Sequence, residues 1–174
     1  MVTVTVLAIL AAVAAPSFSA LVKSTRISSA VNVFLGDLRY ARSEAVRRGT
    51  SIVLCRSDNP EATAPRCGTS LNGPNGDGWI SGWIIFVDLD DNRQFGSADE
   101  LLRIRAPLRG IETMIQEGGS WRMIFTAAGR FRSAAGAATL KVGPEQPPER
   151  QRIVCVDSMG RGRVAGDGLT GDCG

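Results

Sequence analysis

Apolar positions along the chain change their period once, near residue 49, and that change divides the molecule. Residues 2–22 carry no charge and are mostly Val, Ala, Leu and Ile. Ile27, Val31, Phe34, Leu38, Ala41 and Ala45 then recur at alternating steps of four and three. That spacing is one stripe on a helix, with Arg26, Asp37, Arg39, Arg42 and Arg48 elsewhere on its circumference. The pattern predicts a single helix from about Val2 to Arg48. Its first half is long enough to span a bilayer core at ~1.5 Å per residue. Its second half is shaped to pack on a folded domain. Gly49 follows Arg47 and Arg48, a favourable order for a helix end.

Beyond Gly49 the pattern becomes short and alternating. Ser51–Arg56 reads as a strand, followed by a loop over 57–78 rich in Pro, Gly, Asn and Thr. Trp79–Val87 reads as the clearest strand. It places Trp83, Ile85 and Val87 on one face and Ile84 and Phe86 on the other, as in a covered interior strand. Leu101–Ile104, Ile111–Ile115, Trp121–Phe125, Thr139–Val142 and Arg152–Val156 are further short strands, and a final turn runs from Gly160 to Val164. Antiparallel sheets packed on the helix stripe give an α+β fold. The expected division is 1–22 for the membrane half of the helix, 23–48 for its amphipathic half, and 49–174 for a β-rich domain.

Composition narrows this picture. The 174 residues suit one domain plus an anchor, and the net charge of +3 says little about partners. There is no histidine, so no Ser-His-Asp triad can form, and the commonest metal ligand is missing. Lys23 and Lys141 lie at the membrane edge and on a strand, poor places for a Ser-Lys pair. Neither a catalytic residue nor a cofactor is expected. The four cysteines, Cys55, Cys67, Cys155 and Cys173, contain no Cys-x-x-Cys pair, so disulfides are favoured over zinc. Three pairings exist. Cys55–Cys67 with Cys155–Cys173 is favoured because each bridge closes a short loop beside a strand, worth roughly 3 kcal/mol per bridge. Disulfides place the domain outside the cytoplasm. Lys23 and Arg26, just after the apolar run, argue for the opposite orientation; the cysteines are given more weight.

The residues of the first helix resemble the N-terminus of type IV pilins and pseudopilins. Residues 1–11 match the segment just after the Phe-Thr-Leu-Ile-Glu start that follows the usual processing site, and Pro16 matches a central helix proline. The leader, the cleavage site and the glutamate of that family have no counterpart, so residues upstream of Met1 are expected to be missing. The stretch 37–48 with Val53-Leu54-Cys55, and the stretch Gly78–Asp88, resemble the GspH/FimT group of minor pilins and pseudopilins. The resemblance implies a bacterial inner-membrane protein that spans the membrane once and holds its C-terminal domain in the periplasm. It also implies assembly into a type IV pilus or a type II secretion filament, by priming or capping it. The implied partners are other pilins, the inner-membrane assembly platform and, given the upstream leader, a prepilin peptidase.

Two clusters invite chemistry. Asp88, Asp90 and Asn92, followed by Asp99 and Glu100, imitate the opening of an EF-hand loop. Arg93 stands where that loop needs glycine and no helix pattern follows, so a solvated turn without metal is expected. Gly160-Arg161-Gly162-Arg163 resembles the Gly-Arg-x-Arg motif through which FimT-type pilins bind DNA in uptake, with Arg152 as an extension. Arginine forks match phosphate oxygens, which makes DNA the alternative partner. Asp157, Asp167 and Asp172 offset this charge. Arg39, Arg42, Arg47 and Arg48, with Asp37 and Glu44, are expected to form ion pairs within the helix or between subunits.

Overall fold

The computed structural model describes residues 2–70, 72–73, 75–118, 120–133 and 137–173, without the side chains of 2 and 4–17. Helix α1 runs Val2–Arg48. It ends at Gly49, whose φ of 65° and N–H bond to the Ala45 carbonyl (3.0 Å) close the last turn. Among the described residues nine strands follow: β1 (Ile52–Arg56), β2 (Trp83–Val87), β3 (Glu100–Arg105), β4 (Met114–Gln116), β5 (Arg122–Phe125), β6 (Phe131–Arg132), β7 (Ala138–Val142), β8 (Arg152–Val156) and β9 (Gly162–Gly166). They form two sheets, β3-β2-β1-β5-β6 and β4-β7-β8-β9, with every strand pair antiparallel.

One core joins the helix to both sheets. The stripe residues Ile27, Val31, Phe34, Leu38, Ala41 and Ala45 are all buried, and Ala30 and Leu35 widen the stripe. They meet Ile52, Leu54, Trp83, Ile85, Val87, Met123 and Phe125 from the first sheet and Leu140, Val142, Val154 and Val156 from the second. Period-two alternation puts Val53, Ile84, Phe86 and Ile124 on the opposite face of the first sheet, under Phe95, Leu101, Trp121 and the Cys55–Cys67 bridge. Burial on both faces is why β1 and β2 read as continuous apolar runs.

The structure corrects several boundaries. Trp79–Val87 is not one strand: Trp79–Ser81 form a 3-10 turn and the strand starts at Trp83. Gly82 separates them with φ 100°, and a Cβ there would lie 2.4 Å from the Arg105 carbonyl oxygen. Ile111–Ile115 yields only Met114–Gln116, because Pro107 and Gly110 keep residues 106–113 out of the ladder. The expected final turn is followed by a true edge strand, β9, and the two-residue β6 had no sequence signature. Asp37, expected on the polar circumference of the helix, is buried, and so is Glu44.

From Phe18 to Arg26 the helix stands clear of the core, with Phe18 and Leu21 well exposed. Among the described residues no helix is long and apolar enough to cross a membrane. The segment 2–22 assigned to the bilayer, and Pro16 within it, fall largely on side chains outside the described set.

Candidate functional site

The two disulfides pair Cys55 with Cys67 and Cys155 with Cys173, leaving no free thiol. The first holds the loop after β1 over Arg56, whose side chain is wholly buried. Its guanidinium bonds Asp58, the Ser70 carbonyl (3.0 Å) and Ser81 Oγ (3.4 Å). The second staples the chain's last residues to β8.

The helix is keyed to the first sheet by a buried carboxylate. Asp37 accepts bonds from Trp83 Nε1 (2.9 Å), Arg103 Nη1 (2.7 Å) and Arg105 Nε (2.6 Å) and Nη2 (2.9 Å). Burial raises its pKa, but the bonds from Arg105, Arg103 and Trp83 outweigh that and hold it below the ordinary carboxylate value. Arg103 also stacks over the Tyr40 ring, 3.8 Å from its centroid. One turn before the helix end, Glu44 accepts from Arg47 (2.5 Å) and Arg48 (2.8 Å), and Arg48 reaches on to Glu100 (2.6 Å). Bonds from Arg47 and then Arg48 lower the Glu44 pKa from 4.5 to about 2. Glu44 with Arg47 and Arg48 thus forms ion pairs within the helix, as expected, whereas Asp37 turns inward to the arginines of β3.

The basic candidates divide. Gly160 and Arg161 lie in the tight turn between β8 and β9. Gly160 has φ 75°, and a Cβ on it would come within 2.5 Å of the Gly129 carbonyl oxygen. That same carbonyl accepts from Arg42 Nε at 3.0 Å. This close approach brings Gly160, Arg161 and Gly162 beside Arg39, Arg42, Ser43, Val46 and Arg47 along one shallow groove of about 560 Å³. Arg161 Nε donates to Asp157 Oδ2 at 2.9 Å. The Arg161 backbone N–H and then its side chain keep the Asp157 pKa low, so the counter-charge stays ionised.

Arg163 and Arg152 are elsewhere. Arg163 pairs in register with Cys155, on the face of the second sheet turned away from the helix core, and its Nη2 donates to the Cys173 carbonyl (3.3 Å). Arg152 is the first residue of β8, in a cleft of about 360 Å³ with Lys23, Ile27, Glu112, Glu149 and Arg150. Sequence proximity suggested one patch; antiparallel register spreads it over three surfaces. The helix arginines that join Arg161 carry no sequence signal linking them to it, since about 120 residues and the whole first sheet intervene.

The acidic stretch also takes shape. Carboxylate oxygens of Asp88, Asp90 and Asp99 lie within 4.8 Å of one another. Burial first, then the carboxylates of Asp99, Asp91 and Asp90, raise the Asp88 pKa against the opposing bond from the Arg93 backbone.

Two crystal structures of the type IV minor pilin FimU from Pseudomonas aeruginosa PAO1 have similar folds. The P21 form gives a TM-score of 0.61 at 18% identity, over 86% of this chain and 96% of FimU. The P65 form gives 0.51 at 19% identity, over 84% and 99%. No curated protein sequence matches the chain. The model of the family described as "Type II transport protein GspH" matches residues 30–160. That match runs from the buried helix stripe to the β8–β9 turn and takes in most of both sheets, and on it this chain belongs to the GspH family.

Proposed function

We propose that the protein is a non-catalytic minor pilin or pseudopilin, built into a type IV pilus or a type II secretion filament as a priming or capping subunit. The observation that carries this reading is the helix: one stretch sunk in the domain core from Ile27 onward, and residues 18–26 before it clear of the core, with Phe18 and Leu21 exposed. An apolar rod projecting from a folded head loses exposed area only against lipid or other rods. Before assembly it would sit as a single pass in the inner membrane, with the disulfide-bonded head in the periplasm. During assembly, contacts with neighbouring pilin helices would replace those with lipid. The assembly platform and a prepilin peptidase acting on an upstream leader complete the set of proposed partners. A Leu21→Cys variant expressed in filament-bearing cells should cross-link to another pilin. A variant that stays monomeric in cells with assembled filaments overturns the reading.

The second reading, DNA binding, is favoured by the shared groove of Arg161 with Arg39, Arg42 and Arg47. Phosphate oxygens would compete with Asp157 for Arg161 and with Glu44 for Arg47. Full-length protein in detergent should then bind duplex DNA with an affinity that falls steeply with salt, and Arg161→Ala should flatten the slope by about one. Absence of binding at low salt removes this reading and leaves the first intact.

A further inference from the structure

We infer that the β2–β3 connection is a calcium site, with Asp88, Asp90 and Asp99 as its carboxylate ligands. The three carboxylates approach within 4.8 Å, about the widest separation of two oxygens that share one ion at ~2.4 Å. None of the three forms an ion pair among the described residues; the nearby Arg132 pairs with Asp91 instead, at 3.9 Å. Three negative charges so placed, with no cation between them, repel one another.

A second observation points the same way. Asp88 is 3% exposed, and its Oδ2 is buried without any hydrogen-bond partner. Its Oδ1 accepts only the long 3.3 Å bond from the Arg93 N–H. A buried carboxylate oxygen left unpaired is costly, by about 1–3 kcal/mol or more. A divalent cation would satisfy it at once.

The loop's spacing explains how the trio meets. Asp88, Asp90 and Asn92 occupy the first, third and fifth positions of a twelve-residue loop whose twelfth is Asp99. The sixth position of such a loop turns sharply and is ordinarily glycine. Arg93 fills it here with φ 63°, so the chain makes the glycine's turn without the glycine. Strands β2 and β3 replace flanking helices as the supports. Phe95 anchors the loop's middle on Phe86, with ring centroids 5.3 Å apart. Calcium suits this set better than magnesium, because three carboxylates from one loop offer protein oxygens and magnesium retains its waters.

Glu100, next to Asp99, bonds Arg48 in the last turn of α1. Calcium at the loop would therefore steady the junction between helix and first sheet, a role that does not depend on which filament the chain enters.

The test is calorimetric titration of full-length, chelator-stripped protein in detergent with calcium chloride, then with magnesium chloride. Saturable calcium binding with Kd on the order of 10⁻⁴–10⁻³ M is expected, as in extracellular modules, with weaker magnesium binding. Asp90→Asn, at an exposed position, should weaken calcium at least about tenfold while leaving the metal-free protein folded, with a melting temperature no lower than that of the wild type. Asp99→Asn should weaken it as well. No saturable heat up to about 10 mM calcium, or binding undiminished in Asp90→Asn, overturns the proposal.

Discussion

The indole N–H of Trp83 points at the carboxylate of Asp37 from 2.9 Å, across the boundary between the sheet and the helix. Both residues are fully buried. Arg103 and Arg105, on the neighbouring strand, bond the same carboxylate from the partly open side. One acidic side chain thus fixes the rotation and the axial position of the helix on the sheet.

Asp37→Ala should destabilise the head by about 3 kcal/mol, the low end for breaking a buried ion pair. The two arginines are half-buried and regain water; the Trp83 N–H does not. Trp83→Phe removes one neutral donor and should cost nearer 1 kcal/mol. Urea unfolding of both variants checks the order. Equal losses would mean that the arginines contribute nothing.

Phe34 is the packing centre of the same junction. It meets Trp79 and Trp83 edge-on, with centroids at 5.6 and 5.2 Å. Phe34→Ala should cost about 3–5 kcal/mol through the cavity it leaves, whereas Phe34→Leu should cost less. A change under about 1 kcal/mol for the alanine variant would show that the core collapses around the site.

Acid should loosen the helix end. Glu44 has its pKa depressed from 4.5 to about 2 by Arg47 and Arg48. A depressed acid contributes stability that is complete above its unfolded pKa and is lost as pH falls through the folded one. Wild-type stability should therefore fall between about pH 4.5 and 2, and Glu44→Gln should fall less over that window. Chemical denaturation at several pH values measures this; parallel curves for the two proteins would contradict it.

Reduction should cost stability in two separable steps. The Cys55–Cys67 bridge spans 12 residues and Cys155–Cys173 spans 18, so each is worth roughly 3 kcal/mol in the chain-entropy model. Replacing the first pair with serine also loosens the loop above Arg56 and should cost more than replacing the second. Thermal melts of the two double variants decide the order.

How far these features could be read from sequence depends on whether their cause is local. The stripe from Ile27 to Ala45 is a local periodicity, and the faces of β2 follow from alternation within five residues. Asp37 escaped because one charge at the edge of a stripe looks like a surface residue until the arginines of β3 are brought to it. The Gly160–Arg163 motif was visible as residues, but only strand register tells which arginine faces the helix. Asp88 and Asp90 were visible as donors; the return of Asp99 to them depends on β2 and β3 pairing in the observed register. Gly82 was plain in the sequence and its effect was not, because only the folded chain brings the Arg105 carbonyl to where a Cβ on residue 82 would sit.

The start of α1 is a lever. Residues 2–26 precede Ile27, the first stripe residue in the core, and at ~1.5 Å per residue they reach about 37 Å from it. A swing of ~10° at the Asp37 fulcrum, about 52 Å from Val2 at ~1.5 Å per residue, would move the far tip by about 9 Å, more than one helical pitch. The aim of the whole rod is thus set by a few buried polar bonds near its base, and small damage there would be felt as a large misdirection at the distant end.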